Sequence, residues 1–169
     1  MRAFLGIDFD SVSFKKINNL MLNLSKSGVK GNFTKKDNLH LTLLFLGELN
    51  KEEINQVENI MDSIEFSDFT IEIKKLTSLK DMLVLEVESE KLMLLQKEIA
   101  LKVSKTKINF DNKKYYPHIT LVRKSNMMLE NELNINSNVN SFYLYSSQRV
   151  DGNLVYKKEY ERMSINGRN

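Results

Sequence analysis

The sequence predicts an α+β fold of antiparallel strands with helices laid on their outer faces, and three features point to it. Segments with two-residue apolar alternation come in neighbouring pairs, and segments with helical spacing and cap residues stand between them. No glycine-rich phosphate loop occurs, which argues against a nucleotide-triphosphate or dinucleotide fold, since both need glycines to bring backbone amides up to phosphates.

Arg2 to Asp8 reads as a first strand. Phe14, Ile17, Met21 and Leu24 then recur at helical spacing, between Asp10 or Ser11 as the cap and Gly28 as the stop. Leu39 to Leu46 is a dense apolar strand closed by Gly47. Asn50, with Glu53 three residues on, forms a capping-box pattern that opens a second helix through Val57 and Ile64. Phe69, Ile71 and Ile73, and then Leu83, Leu85 and Val87, alternate with polar residues as two strands joined near Lys80 and Asp81. A third helix runs from about Ser89 to Lys105. Pro117 precedes a short strand, His118 to Val122, because the residue before a proline is held extended. Phe142 to Ser147 and Leu154 to Tyr160 form a hairpin around Asp151, Gly152 and Asn153. Asn126 to Asn140, rich in Asn and poor in periodic apolar residues, reads as an exposed connection.

With 169 residues, 41% of them hydrophobic and 28% charged, the chain suits one folding unit, 1–169, long enough to bury a core. A net charge of +3 permits a phosphate-bearing partner without requiring one. The absence of cysteine removes disulfides, thiolate metal sites and cysteine nucleophiles together. The opening apolar stretch is short and runs into Asp8 and Asp10, unlike a signal peptide, and no apolar run reaches membrane-spanning length. A cytoplasmic protein with no membrane association is the expectation, as a monomer.

The two histidines each begin the same pattern, His40-Leu41-Thr42-Leu43 and His118-Ile119-Thr120-Leu121. Chance would place x-Thr-Leu after both in roughly one of tens of thousands of such chains at average residue frequencies. On an extended strand residues two apart share a face, so each His stands beside its Thr while Leu41, Leu43, Ile119 and Leu121 face the core. Two such strands brought together surround one cavity with two imidazoles and two hydroxyls. That set suits in-line displacement at phosphorus, which needs one proton removed from the entering water and one supplied to the leaving oxygen, both within the range of histidine. The threonine hydroxyls are short donors for non-bridging phosphate oxygens. There is no third histidine and no clustered acidic motif, so neither a metal nor another cofactor is expected.

These residues resemble the 2H phosphoesterases, and within them the RNA 2′,3′-cyclic phosphodiesterases, also called 2′-5′ RNA ligases. NLHLTLLFLGEL, residues 38–49, is similar to that family's first motif block, and YYPHITLVR, residues 115–123, to its second. Arg2 to Asp8 resembles the opening strand, and Leu144 to Ser147 with Gly152 and Tyr156 the C-terminal hairpin. The resemblance implies a bilobal, pseudo-two-fold fold around a central cleft, with RNA ends or small nucleotide cyclic phosphates as partners. It also implies His40 as proton donor, His118 as proton acceptor, a 2′-phosphate product, and 2′-5′ ligation as a side activity. Phe33 stands where the family often has Trp, Lys113 where it often has Arg, and Tyr116 where a His often precedes the proline.

Around the motifs, Arg123 has the planar fork to clamp a phosphate, although strict alternation from His118 points it to the opposite face. Tyr115, Tyr116 and Phe33 stand where an aromatic ring can stack on a terminal base, with core or rim packing as the alternative. Lys35, Lys36, Lys113, Lys114 and Lys124 flank the motifs as attractors for RNA or as an ordinary solvated face. A phosphodiesterase for 2′-5′ oligonucleotides or other cyclic nucleotides, and a non-catalytic RNA-binding module, are the competing readings of the whole.

Overall fold

In the computed structural model, which describes residues 1–168, nine strands form two antiparallel sheets and three α-helices cover them. The strands are β1 (Arg2–Ile7), β2 (Asn32–Phe33), β3 (Leu41–Glu48), β4 (Phe69–Leu79), β5 (Met82–Glu88), β6 (His118–Arg123), β7 (Asn131–Val139), β8 (Ser141–Val150) and β9 (Asn153–Met163). The helices are α1 (Ser11–Lys26), α2 (Lys51–Asp62) and α3 (Glu90–Ser104). None of the helices is long and apolar enough to cross a membrane.

The sheets have the orders β3-β1-β8-β9 and β2-β6-β5-β4-β7. Setting β2 aside, they are built alike. In each, a strand leads through a helix to an antiparallel neighbour that carries or follows one histidine motif, β1-α1-β3 in one sheet and β5-α3-β6 in the other. Two further strands extend each sheet on the side away from the motif. This is the bilobal, internally repeated α+β architecture.

Local chemistry explains the helices. Asp10 caps α1 by accepting from the Ser13 amide at 2.8 Å, and Asn50 with Glu53 completes both halves of a capping box on α2. α2 ends at Asp62, so Ile64, expected within it, lies beyond the Ser63 cap and is buried by tertiary packing. The apolar stripes of the helices and the inward faces of both sheets share one core, from Leu5, Ile17 and Leu41 to Leu85, Ile119 and Leu121. The β8–β9 hairpin closes through Asp151 and Gly152, both with positive φ, the backbone its two-residue turn demands.

The segment Asn126 to Asn140 corrects the expectation of an exposed connection, because Asn131–Val139 is β7, paired along its length with β4. Its inward positions are Ile135, Ser137 and Val139. The serine hides the alternation from a count of apolar residues, and its hydroxyl is satisfied by accepting from the Asp10 amide at 3.0 Å. Asn138 donates its amide to Asp10 at 2.9 Å, so the N-terminus of α1 covers part of this open edge.

Candidate active site

The two motif strands belong to different sheets and approach each other where the lobes meet. Two hydrogen bonds cross the junction. The Tyr115 hydroxyl donates to the Thr42 carbonyl at 2.8 Å and the Asp111 amide to the Phe45 carbonyl at 3.1 Å. All four motif side chains, His40, Thr42, His118 and Thr120, are half-buried, while Leu41, Leu43, Ile119 and Leu121 are fully buried as the alternation requires.

The two halves of the junction are crossed. One cleft, of about 290 Å³, is lined by His40 of the first motif with Thr120 and Arg123 of the second. The other, of about 430 Å³, is lined by His118 of the second motif with Thr42 and Phe45 of the first. Each cleft therefore draws its lining from both motifs.

Both imidazoles have the same tautomer for the same reason. His40 Nδ1 lies 2.8 Å from the Asn38 carbonyl and His118 Nδ1 lies 2.7 Å from the Tyr116 carbonyl. A carbonyl oxygen only accepts, so each Nδ1 carries a hydrogen and each Nε2 is left to exchange a proton. His40 Nε2 lies 3.0 Å from the Thr42 hydroxyl, which donates to a neutral ring and accepts from a charged one.

The surroundings of the two rings differ. His40 is enclosed by Phe4 at 4.8 Å, Tyr156 edge-on at 5.0 Å and Tyr145 at 6.0 Å between ring centroids. Burial above all, and then the positive charges of Arg123 and His118, hold its pKa below the ordinary histidine value, against the Asn38 carbonyl, which favours the proton. His118 stacks on Tyr116, with centroids 5.1 Å apart and planes 19° from parallel.

Arg123 corrects the alternation expected from His118. Leu83 and Val84 of β5 face Val122 and Thr120 of β6, so Leu121 is an extra residue, a β-bulge. Leu121 and Val122 are consecutively buried, and Arg123 returns to the face that holds Thr120. The same bulge occurs in the first motif. Leu5 and Gly6 of β1 face Leu44 and Thr42, which leaves Leu43 as the extra residue and turns Phe45 to the cleft. Phe45 thus occupies the position on its side that Arg123 occupies on the other, with the Arg2 guanidinium 4.9 Å from its ring centre.

The aromatic candidates separate. Tyr115 packs against the core and ties its hydroxyl to Thr42, and burial raises its pKa, so it stands as a brace between lobes. Tyr116 offers its ring to the protein's own His118, and Phe33 packs on the core at the rim of the smaller cleft. Of the lysines, Lys35 lines that cleft and Lys113 and Lys114 line the larger one.

The sequence assigned no site role to Asn38, Arg149, Leu154 or Tyr156. Asn38 Nδ2 donates to the Leu154 carbonyl at 2.9 Å and its Oδ1 accepts from the Tyr156 amide at 3.2 Å, which pins the 3-10 turn at 36–38 to β9. Its own carbonyl orients His40. Asn38 stands two residues before His40, a place that Tyr116 fills before His118, and that register was the one available signal. Among the described residues no group of three His, Asp or Glu is arranged to hold a metal ion.

Comparison with known proteins finds similar chains and a shared fold. Residues 13–87 match the family model described as LigT like phosphoesterase. The chain is 28% identical to an RNA 2′,3′-cyclic phosphodiesterase of Thermotoga maritima, over 95% of this chain and 94% of that protein. A protein of the same name from Archaeoglobus fulgidus is 38% identical over 72 residues, 42% of this chain and 40% of that one. In fold it is similar to TT0787 of Thermus thermophilus, at a TM-score of 0.85 and 20% identity over 96% of this chain and 97% of that chain. It is likewise similar to E. coli LigT complexed with 3′-AMP, at a TM-score of 0.83 and 23% identity over 97% and 98% of the two chains. Matched segment, full-length relative and shared architecture converge on one likeness, and the chain is similar to the LigT-like phosphoesterases, whose family model it matches over residues 13–87.

Proposed function

We propose that this protein hydrolyses a 2′,3′-cyclic phosphate at an RNA end to a 2′-phosphate, in a single catalytic unit. The observation that carries the reading is the junction of the two motif strands, where His40 and Thr120 line one cleft and His118 and Thr42 line the other. Two proton-exchanging Nε2 atoms, one on each side, are what an in-line displacement uses. Relatives named RNA 2′,3′-cyclic phosphodiesterase support the substrate class.

In the proposed reaction water attacks phosphorus from the His118 side and gives its proton to Nε2 of His118. The P–O3′ bond breaks on the opposite side, and Nε2–H of His40 protonates O3′. The products are a 2′-phosphate and a free 3′ hydroxyl, and solvent restores one proton to His40 as it removes one from His118. Thr42 and Thr120 donate to the non-bridging oxygens, and Arg123 balances the charge that develops there. Free His40 disfavours its proton, so the anionic substrate must return it. A phosphate between His40 and Arg123 does this by cancelling the positive field, and by drawing Thr42 off Nε2. With an RNA 5′ hydroxyl in place of water, the same steps give 2′-5′ joining. Both motifs come from one chain, so a monomer suffices.

The test is a short RNA ending in a cyclic phosphate, assayed with EDTA present. His40→Ala and His118→Ala are each expected to lower turnover at least about a hundredfold with the fold intact. Turnover near that of the unaltered protein in either variant, or loss of activity on chelation with recovery by one divalent ion, refutes the scheme. If His40 is the acid, His40→Ala recovers rate selectively on a nucleotide ester with a nitrophenolate leaving group, which departs without a proton, whereas His118→Ala does not. Rescue of His118→Ala instead would exchange the two roles.

A further inference from the structure

The smaller cleft contains two guanidiniums, and the proposed reaction uses only one. Arg149 lies near the end of β8, directly opposite Leu154 of β9, and lines the same 290 Å³ as His40, Thr120 and Arg123. Its one side-chain hydrogen bond is to the Gly152 carbonyl of its own hairpin, at 3.3 Å, and among the described residues it makes no ion pair. An arginine held at a cleft wall with most of its donors free is fitted for an anion from outside the protein.

That anion is not the reacting phosphate. The hairpin gives the reason in distance. Tyr156 is the β9 residue against the His40 ring, centroid to centroid 5.0 Å, and Leu154, which faces Arg149, is two residues farther out. Two residues of strand are about 6.6 Å, a span comparable to one nucleotide step of an extended single strand. Leu154, Tyr156 and Phe33 line the same cleft as the two arginines, a surface suited to ribose and base.

We propose that Arg149 forms a second phosphate subsite, which takes the phosphodiester on the 5′ side of the terminal nucleotide and makes the protein prefer RNA ends over isolated nucleoside 2′,3′-cyclic phosphates. The proposal rests on the hydrolytic reading of the site and adds the recognition of chain to the recognition of the cyclic end. The hairpin arm then serves as a gauge one nucleotide long, with His40 at one end and Arg149 at the other.

The experiment compares kcat/KM for a nucleoside 2′,3′-cyclic phosphate with that for a dinucleotide ending in a 2′,3′-cyclic phosphate, in the unaltered protein and in Arg149→Ala. Arg149 is exposed and bonded only within its hairpin, so the variant should fold. The expected result is that Arg149→Ala loses at least about tenfold more on the dinucleotide than on the mononucleotide, the worth of one charge-assisted hydrogen bond. A dinucleotide whose internal linkage is an uncharged methylphosphonate should show the same deficit in the unaltered protein, and Arg149→Lys should recover part of it. Equal losses on both substrates, or full activity on the methylphosphonate, would overturn the proposal. If the unaltered protein turns over neither substrate, the hydrolytic reading fails. The subsite is then decided by calorimetry with the matching mononucleoside and dinucleotide 2′-phosphates, where Arg149→Ala must weaken the dinucleotide selectively or the subsite fails as well.

Discussion

Replacing Asn38 by Ala tests whether the 3-10 turn before the first motif acts through His40 or only holds the fold together. The substitution removes two hydrogen bonds, Nδ2 to the Leu154 carbonyl at 2.9 Å and the Tyr156 amide to Oδ1 at 3.2 Å. At about 1 kcal/mol net each, the loss is about 2 kcal/mol. β9 is an edge strand, so water can reach the freed groups and the full penalty of orphaned buried partners does not apply. For a chain of this length that loss lowers Tm by about 4 to 8 °C. The functional loss should be larger than the structural one. The Asn38 carbonyl sets the tautomer and direction of His40, and an error of about 1 Å at a catalytic group costs on the order of a hundredfold. Asn38→Ala is therefore expected to lower kcat about 10- to 100-fold with little change in KM, well below its melting temperature. The assays are thermal unfolding and steady-state kinetics on a cyclic-phosphate dinucleotide. A Tm loss of the expected size with unaltered kcat would refute the positioning role.

Four further outcomes follow from the geometry. Arg123→Gln removes one of the charges that hold His40 low, so the His40 pKa, followed by the NMR shift of its ring protons, should rise toward the ordinary value; an unchanged or lower value contradicts the bulge-directed placement of Arg123. Because the folded His40 pKa lies below its unfolded value, the unfolded chain binds the proton first. The stability this group contributes is present above about pH 6.5 and falls as pH drops toward the folded pKa, at no more than about 1.4 kcal/mol per pH unit, a slope that should shrink in Arg123→Gln. Gly31→Ala should destabilise the protein markedly and lower activity with it, since its Cβ would sit 2.6 Å from the Arg123 carbonyl and 2.8 Å from that of Lys124, at φ +154; an unaltered melting curve would refute that close approach. Tyr115→Phe should cost about 1 kcal/mol in denaturant unfolding and lower kcat by up to about tenfold, as the bond to the Thr42 carbonyl across the lobes is lost; no change in either would show that the brace is idle.

Much of the fold was legible because its signals are local. Caps at Asp10 and Asn50, the turn at Asp151 and Gly152, and the alternation in β4 and β5 each depend on residues within a few positions of one another. β7 escaped because its inward Ser137 is made acceptable by Asp10, 127 residues away, and local periodicity cannot register such a partner. The site roles of Arg149 and Tyr156 escaped for a similar reason, since the register of a long hairpin, and not any motif, brings them to the cleft that His40 lines.

The sequence by itself determined the candidate residues, two histidines in duplicated motifs, each with a threonine two places on. Only the tertiary structure decided how the halves differ. The bulges at Leu43 and Leu121 are equivalent, yet one turns an arginine and the other a phenylalanine to its cleft. The physical reason is that alternation is a property of an unbroken ladder. A bulge is a property of the pairing between two strands, and where it falls is settled by the partner strand and the core beneath it.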